Sequence, residues 1–179
     1  MPRTYVLGLG NTLMGDDGFG PAVVHEFEDT YEFDEGVEVV DLGTPGLDLT
    51  PWFADTPHII IVDTVKAALP PGSMRLYEKD DVMKHAPLAR VSPHDPGVKE
   101  TLATLDFADR APETVTVIGA VPGLVRMSLE LTQPVQMAVP AAVNAIRTTL
   151  ERFGHKVRLK ADKASEEVVM SDFAQALSA

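Results

Sequence analysis

The segment from Tyr5 to Gly20 constrains the fold more than any other part of the chain. It reads Y-V-L-G-L-G-N-T-L-M-G-D-D-G-F-G, a short apolar run and two close glycines before a loop with Asn11 and the adjacent acids Asp16 and Asp17. An amphipathic stretch follows, so the order predicts a strand, a loop and a helix start. In an open parallel sheet, ligands bind at loops that leave the carboxyl ends of strands. The two carboxylates therefore predict a site at this loop.

The acidic pair lies at the predicted helix start, where two roles are open to it. A carboxylate at this position can cap the helix or interact with its dipole without any part in catalysis. Because one cap usually suffices, we expect one of Asp16 and Asp17 to cap the helix and the other to face the cleft.

Further strands and helices alternate along the chain. His58–Asp63 is an apolar run of the kind found in buried parallel strands, and Val37–Leu42 and Thr114–Val121 are two more predicted strands. Amphipathic patterns predict helices over Val98–Phe107 and Val135–Phe153. We therefore expect an α/β fold, a three-layer sandwich with a mainly parallel, twisted central sheet of about five strands and helices on both faces.

Two shorter strands complete the expected sheet. Ser73–Tyr77 follows the His58–Asp63 strand too closely for a crossover helix, so we expect an antiparallel excursion at the sheet edge. Leu129–Thr132 is predicted as another short strand. Residues 1–160 are expected to form a single domain, and residues 161–179 an acidic tail or a loosely docked helix.

The first three main strands would bring candidate site residues together. If they adopt the common order two-one-three, the crevice opens between the first strand, which Asp17 follows, and the third, which Asp63 ends. His94, held between two prolines in a later loop, can reach the same edge. This donor set suits zinc, nickel or a similar ion, which can polarise a carbonyl or activate water. By spacing alone, Asp63 is equally well explained as a solvated residue at the sheet rim.

The loop Gly43-Thr44-Pro45-Gly46 follows the second predicted strand. Its glycine and proline content alone predicts a plain turn. Only its position after a strand end makes it a candidate wall of the cleft. A short helix is expected over the residues that follow, Leu47–Phe53.

The composition narrows the classes of function. The 179 residues include 27 Asp and Glu against 15 Lys and Arg, which argues against a nucleic-acid partner because phosphate binding needs clustered basic residues. Cysteine is absent, so thiolate chemistry and cysteine-based zinc sites are excluded. The N-terminus lacks a signal-peptide core, and no run approaches the roughly 18 apolar residues of a membrane span. We expect a cytoplasmic protein with no membrane partner.

The glycine loop does not match the common nucleotide-binding motifs. A dinucleotide fingerprint needs a third glycine after Gly8 and Gly10, and Leu13 occupies that place. The Gly-Lys pair of phosphate-binding loops is also absent here, as is a nucleophile-elbow pattern of glycines around a serine. We therefore expect no nucleotide cofactor.

Taken together, the motifs resemble those of the NiFe-hydrogenase maturation endopeptidases. The likeness runs from about Val6 to Phe153 and keeps the order and spacing of the motifs. The matching segments are G-L-G-N-T-L-M-G-D-D-G-F-G at Gly8–Gly20, D-L-G-T-P-G at Asp41–Gly46, I-I-I-V-D at Ile59–Asp63, S-P-H at Ser92–His94 and V-I-G-A-V-P at Val117–Pro122.

The resemblance implies an activity and a substrate. Enzymes of this family remove a short C-terminal extension from the hydrogenase large-subunit precursor after nickel has been inserted. The resemblance implies that Asp17, Asp63 and His94 contact a metal, which is the nickel carried by the precursor rather than a resident cofactor. Some relatives have Glu where Asp17 stands, so the carboxylate here is drawn back by about one methylene.

Other roles follow from the same resemblance. If nickel only anchors the precursor and is not also a Lewis acid, Asp16 or Asp17 would be the general base. Asn11 and the segment Gly43, Thr44, Pro45 and Gly46 would bind the substrate, and a monomer is expected.

Two other functions remain open at this stage. A nickel-sensing chaperone would hold the precursor without cutting it. An autonomous metallohydrolase would act on a small amide and would bind metal in isolation.

Overall fold

A computed structural model describes residues 3–44, 49–85, 97–161 and 163 of the chain. In that part of the chain, no helix combines the length and the apolar character that crossing a membrane requires. Most of residues 161–179, for which a tail or helix was predicted, lies outside it. The elements are β1 (Thr4–Leu9), α1 (Phe19–Thr30), β2 (Tyr31–Phe33), β3 (Val37–Gly43), α2 (Thr50–Phe53), β4 (His58–Thr64), β5 (Met74–Glu78), α3 (Lys79–His85), α4 (Val98–Phe107), β6 (Thr114–Ala120), α5 (Gln133–Gln136), α6 (Val139–Arg152) and β7 (Val157–Leu159).

Five strands form the central sheet, in the order β3-β1-β4-β6-β5. β1 is parallel to both β3 and β4, and β4 is parallel to β6. The expected order two-one-three is confirmed, because β3, β1 and β4 are the predicted second, first and third strands. The antiparallel edge strand is also confirmed as β5, although its partner is β6 and not β4.

Helices cover both faces of this sheet. Successive side chains of a strand point to opposite faces, so the central strands contribute to two separate cores. Val6 and Ile60 are fully buried in the core that includes α1 and α6. Leu7 and Ile61 are fully buried on the other side, in the core that includes residues of α2 and α4. The three-layer α/β architecture is confirmed.

Some local predictions agree with the structure and others are wrong. α4 has the predicted bounds Val98–Phe107. The predicted helix Val135–Phe153 is instead two helices, α5 and α6, each with a proline in its first turn, where the missing N–H costs no hydrogen bond. Leu129–Thr132 forms no strand. The predicted helix Leu47–Phe53 is observed as Thr50–Phe53, and residues 47 and 48 lie outside the described residues.

An unexpected antiparallel pair, β2 with β7, lies beside the main sheet. Near it, the buried ring of His155 bridges two distant segments. Its Nε2 lies 2.8 Å from Thr4 Oγ1, and its Nδ1 lies 2.9 Å from Asp34 Oδ1. The first residue of β1 is thereby bonded to the segment that follows α6.

Candidate functional site

Two glycines allow the loop after β1 to pack tightly against the ends of the strands. Gly10 has φ +132°, and a Cβ there would collide with the carbonyl oxygen of Asp17. A Cβ on Gly20 would collide with the carbonyl oxygens of Leu9 and Val62, which lie near the carboxyl ends of β1 and β4. The short 3₁₀ turn that carries Asp16 and Asp17 is therefore held at the sheet edge where the site was predicted.

Asp16 is completely buried and holds a distant loop. Its Oδ2 accepts hydrogen bonds from the N–H groups of Gly123 (2.7 Å) and Leu124 (2.8 Å) and from the hydroxyl of Thr132 (2.9 Å), and its Oδ1 accepts one from the Thr132 N–H (2.6 Å). Burial alone would raise the pKa of Asp16, but these hydrogen bonds outweigh burial and lower the pKa. Both oxygens are thus engaged by protein donors.

The expectation that one acid caps the helix is wrong. Neither the 3₁₀ turn Gly15–Gly18 nor α1 has a side-chain cap hydrogen bond. The N-cap of α1 is Gly18, which has no side chain to donate or accept. Both acids instead make contacts outside the helix.

Asp17 and Asp63 are both buried and lie close enough to interact electrostatically. Burial raises the pKa of Asp17, and a hydrogen bond of 2.9 Å from the Asn11 N–H to Oδ2 offsets this only in part. Burial raises the pKa of Asp63 well above its usual value. The hydrogen bond of 2.6 Å from the Thr64 N–H to Oδ1 lowers this pKa but does not cancel the effect of burial, and the charge of Asp17 raises it further. Two carboxyl groups are therefore held where ionisation of both is unfavourable.

In each carboxyl group of this pair, the described residues donate hydrogen bonds to only one of the two oxygens. Among the described residues, Asp17 Oδ1 and Asp63 Oδ2 accept no hydrogen bond. A cation placed between them would complete their interactions and favour their ionised forms.

The chemistry of the donor set fits a divalent cation only in part. Two neighbouring carboxylates suit such an ion, but no group of three His, Asp or Glu side chains that could hold a metal is found in the described residues. His94, predicted as the third donor, lies outside them.

The other predicted site residues are arranged around the same loop. The Asn11 side chain accepts a hydrogen bond of 2.9 Å from the Leu13 N–H, so it shapes the turn. Gly43 has φ +61°, and its carbonyl oxygen accepts a hydrogen bond of 2.9 Å from the Gly10 N–H, which joins the two loops. Thr44 follows as an exposed residue, while Pro45 and Gly46 lie outside the described residues.

Sequence reasoning missed two parts of this edge. The first is the loop at residues 121–132, which is hydrogen-bonded to Asp16. In the sequence, only a proline and a glycine after a predicted strand indicated this loop. An open pocket of about 450 Å³ also lies beyond the carboxyl ends of β4 and β6. Its lining is mostly apolar and consists of Val65, Lys66, Ala67, Ala68, Val121 and Pro122.

Known proteins match both the sequence and the fold. The family model HycI, described as hydrogenase maturation protease, matches residues 21–149. The hydrogenase expression/formation protein HupD of Rhizobium leguminosarum bv. viciae is 35% identical over 169 residues, which are 92% of this chain and 82% of that protein. The hydrogenase 2 maturation protease of Escherichia coli K12 is 29% identical over 153 residues, which are 85% of this chain and 93% of that protein.

The structural match agrees with these sequence matches. The hydrogenase-maturating endopeptidase HybD from E. coli superposes with a TM-score of 0.82 and 29% identity, over 89% of this chain and 99% of that one. The similarity therefore extends over most of the sheet and helices described above.

Proposed function

This chain belongs to the hydrogenase maturation protease family, and we infer that it removes the C-terminal extension of a hydrogenase large-subunit precursor. It is an endopeptidase, a hydrolase that acts on a peptide bond. The precursor is its protein partner. In the reaction, water adds to the scissile carbonyl carbon, the C–N bond breaks and a proton reaches the departing amine.

The observation that carries the site assignment is the pair of buried carboxyl groups, Asp17 and Asp63. Each has one oxygen that meets no donor among the described residues, and burial raises both pKa values. Structural carboxylates are normally satisfied by protein donors, as Asp16 is. A pair of buried carboxyl groups with raised pKa values at the ligand-binding edge of a parallel sheet is typical of a functional site.

We assign the contacts to nickel to Asp17, Asp63 and His94. In this proposal the nickel is part of the substrate, delivered inside the loaded precursor. Its positive charge would interact with both carboxylates and favour their ionised forms, so a precursor without nickel would lack that attraction. The enzyme needs no nucleotide cofactor.

The two adjacent acids have different roles in this proposal. Asp17, which accepts one hydrogen bond from the described residues and has a raised pKa, is the residue suited to contact substrate or to accept a proton from water. Asp16 was the other candidate for this catalytic role. Because its oxygens are engaged by four hydrogen bonds and its pKa is lowered, we assign it to positioning the turn.

The extension would approach along the edge formed by the loops after β1, β3 and β4. Asn11, Gly43 and Thr44 lie on that edge, and Pro45 and Gly46 follow in sequence. The open pocket of about 450 Å³ beyond the carboxyl ends of β4 and β6 is large enough to hold a few side chains of the extension.

We also propose that the enzyme works as a cytoplasmic monomer. The net charge of −12 supports solubility and the absence of a nucleic-acid partner. Light scattering of the purified protein would measure its mass directly.

The test of nickel gating compares two preparations of the same precursor. Nickel-loaded and nickel-free precursors are incubated with the enzyme, and intact mass is followed by mass spectrometry. A loss of C-terminal mass is expected only for the loaded precursor. Cleavage of neither form would refute the function, and equal cleavage of both would refute the gating. Metal analysis of the isolated enzyme is expected to find no bound nickel.

A further inference from the structure

Exposed hydrophobic side chains are concentrated in two loops beside the site. Nine large hydrophobic residues are exposed in the described part of the chain, and five of them belong to residue 13 or to residues 124–129. We call these five the apolar patch: Leu13, Leu124, Val125, Met127 and Leu129. Within the apolar patch, Met127 and Leu129 have the most exposed side chains, at 88% and 79%.

The two loops of the apolar patch are joined by backbone hydrogen bonds. The Ser128 N–H donates to the Leu13 carbonyl oxygen over 3.0 Å, and the Gly15 N–H donates to the Ser128 carbonyl oxygen over 2.8 Å. Met14 and Ser128 form an isolated parallel bridge. Leu13 therefore lies directly beside the segment that carries Met127 and Leu129.

The apolar patch is also fixed to the catalytic turn. The Asp16 carboxylate holds the loop at Leu124 and at Thr132, one on each side of the patch residues 125–129. Asp17, the proposed site residue, directly follows Asp16 in the chain. The patch is thus a rigid continuation of the edge at which the precursor must arrive.

A concentration of exposed apolar side chains usually marks a place where another molecule binds. The rest of the chain carries a formal net charge of −12, so the apolar character is local. A second copy of this chain bound here would stand beside Asp17 and obstruct the approach of a protein substrate. A large-subunit precursor that has not yet assembled still exposes the apolar surface of a future subunit interface.

We propose that the apolar patch is a docking surface for the folded body of the hydrogenase large-subunit precursor, through apolar side chains outside the cleaved extension. This inference rests on the proposed function. Docking beside Asp17 raises the local concentration of the extension at the site without taking part in bond cleavage.

The test is a double variant, Met127→Ser with Leu129→Ser. Both side chains are exposed, and the hydrogen bonds of the loop use Ser128 and backbone groups, so thermal stability should stay that of the wild type. The KM for nickel-loaded precursor is expected to rise at least about tenfold while kcat changes little. The matched control is Phe107→Ser, which removes a side chain 94% exposed on α4 and should leave KM unchanged.

Three results would overturn the proposal. One is an unchanged KM in the double variant while the wild type cleaves the precursor, which leaves the protease function standing. Another is an equal rise of KM in Phe107→Ser, because the effect would then be general. The last is a sedimentation result in which the wild type is a dimer and the double variant is a monomer. The patch would then bind a second copy of this chain. Failure of the wild type to cleave any precursor would instead refute the proposed function.

Discussion

The carboxyl groups of Asp16 and Asp17 belong to adjacent residues, yet their pKa values shift in opposite directions. Burial would raise both, but four hydrogen bonds reverse its effect on Asp16, whereas Asp17 receives one from the Asn11 N–H. Four donors stabilise the charge of Asp16, while one leaves the charge of Asp17 poorly solvated. In the proposed site, this difference gives Asp16 a structural role and Asp17 a functional one.

Replacing Asp16 should destabilise the protein. In Asp16→Ala, the N–H groups of Gly123, Leu124 and Thr132 lose their acceptor, and we expect the free energy of unfolding to fall by about 2–4 kcal/mol. Urea denaturation measures this loss. The control Asp29→Ala changes an exposed acid of α1 and should lie within about 0.5 kcal/mol of the wild type.

The contribution of Asp16 should also depend on pH. Its folded-state pKa is below the ordinary value of 3.8, so the stabilisation is present above that value and is lost as pH falls through the folded-state pKa. The difference in unfolding free energy between wild type and Asp16→Asn should therefore shrink in strong acid. A constant difference across acidic pH would show that the charge of Asp16 contributes nothing.

Replacing Asp63 should have the opposite effect on stability. Its folded-state pKa is raised, so ionisation opposes folding, and stability falls as pH rises from 3.8 through the folded-state value. Asp63→Asn removes this penalty and keeps an oxygen for the Thr64 N–H. In metal-free buffer at pH 7, its thermal midpoint should exceed that of the wild type, and the gain should vanish in acid. A lower midpoint at pH 7 would contradict the burial argument.

Loss of any proposed nickel contact should abolish processing. Asp17→Ala, Asp63→Ala and His94→Ala should each lower the cleavage rate of nickel-loaded precursor at least about 100-fold, while circular dichroism shows a folded protein. Gel mobility of the precursor measures the rate. Asp29→Ala, an exposed acid at the opposite end of α1 from Asp17, serves as the control and should cleave normally. Normal cleavage by all three site variants would remove the proposed site.

Two glycine substitutions should separate steric collision from backbone strain. A methyl group on Gly20 would collide with the carbonyl oxygens of Leu9 and Val62, so Gly20→Ala must move α1 and should cost more than about 2 kcal/mol of stability. Gly43 has φ +61° with open space around it, so Gly43→Ala should cost only about 1 kcal/mol. Denaturant unfolding measures both, and equal costs would contradict the packing of α1.

Patterns along the sequence predicted the elements that bury many apolar residues. β4 was evident from the unbroken apolar run Ile59, Ile60, Ile61 and Val62, which is typical of a strand covered on both faces. All four side chains are fully buried in the structure. The strand order then placed Asp17 and Asp63 at one crevice. β2 and β7, of three residues each, are too short for a periodic signal.

Contacts between distant residues account for the remaining differences. Leu129–Thr132 has an alternating pattern, but the Thr132 N–H donates to a carboxylate 116 residues earlier in the chain. Such a bond leaves no trace in the local pattern. The role of Asp16 was undetermined from the sequence for the same reason, since its partners lie more than 100 residues away.

The bond between Thr4 and His155 spans 151 residues, and this span bears on when the enzyme becomes complete during its synthesis. β1 is made first, yet the residue that holds its start is made after α6. A nascent chain on the ribosome therefore lacks this contact until almost all of this domain has emerged. The start of β1 should accordingly reach its full set of contacts late in translation, after α6 has been made.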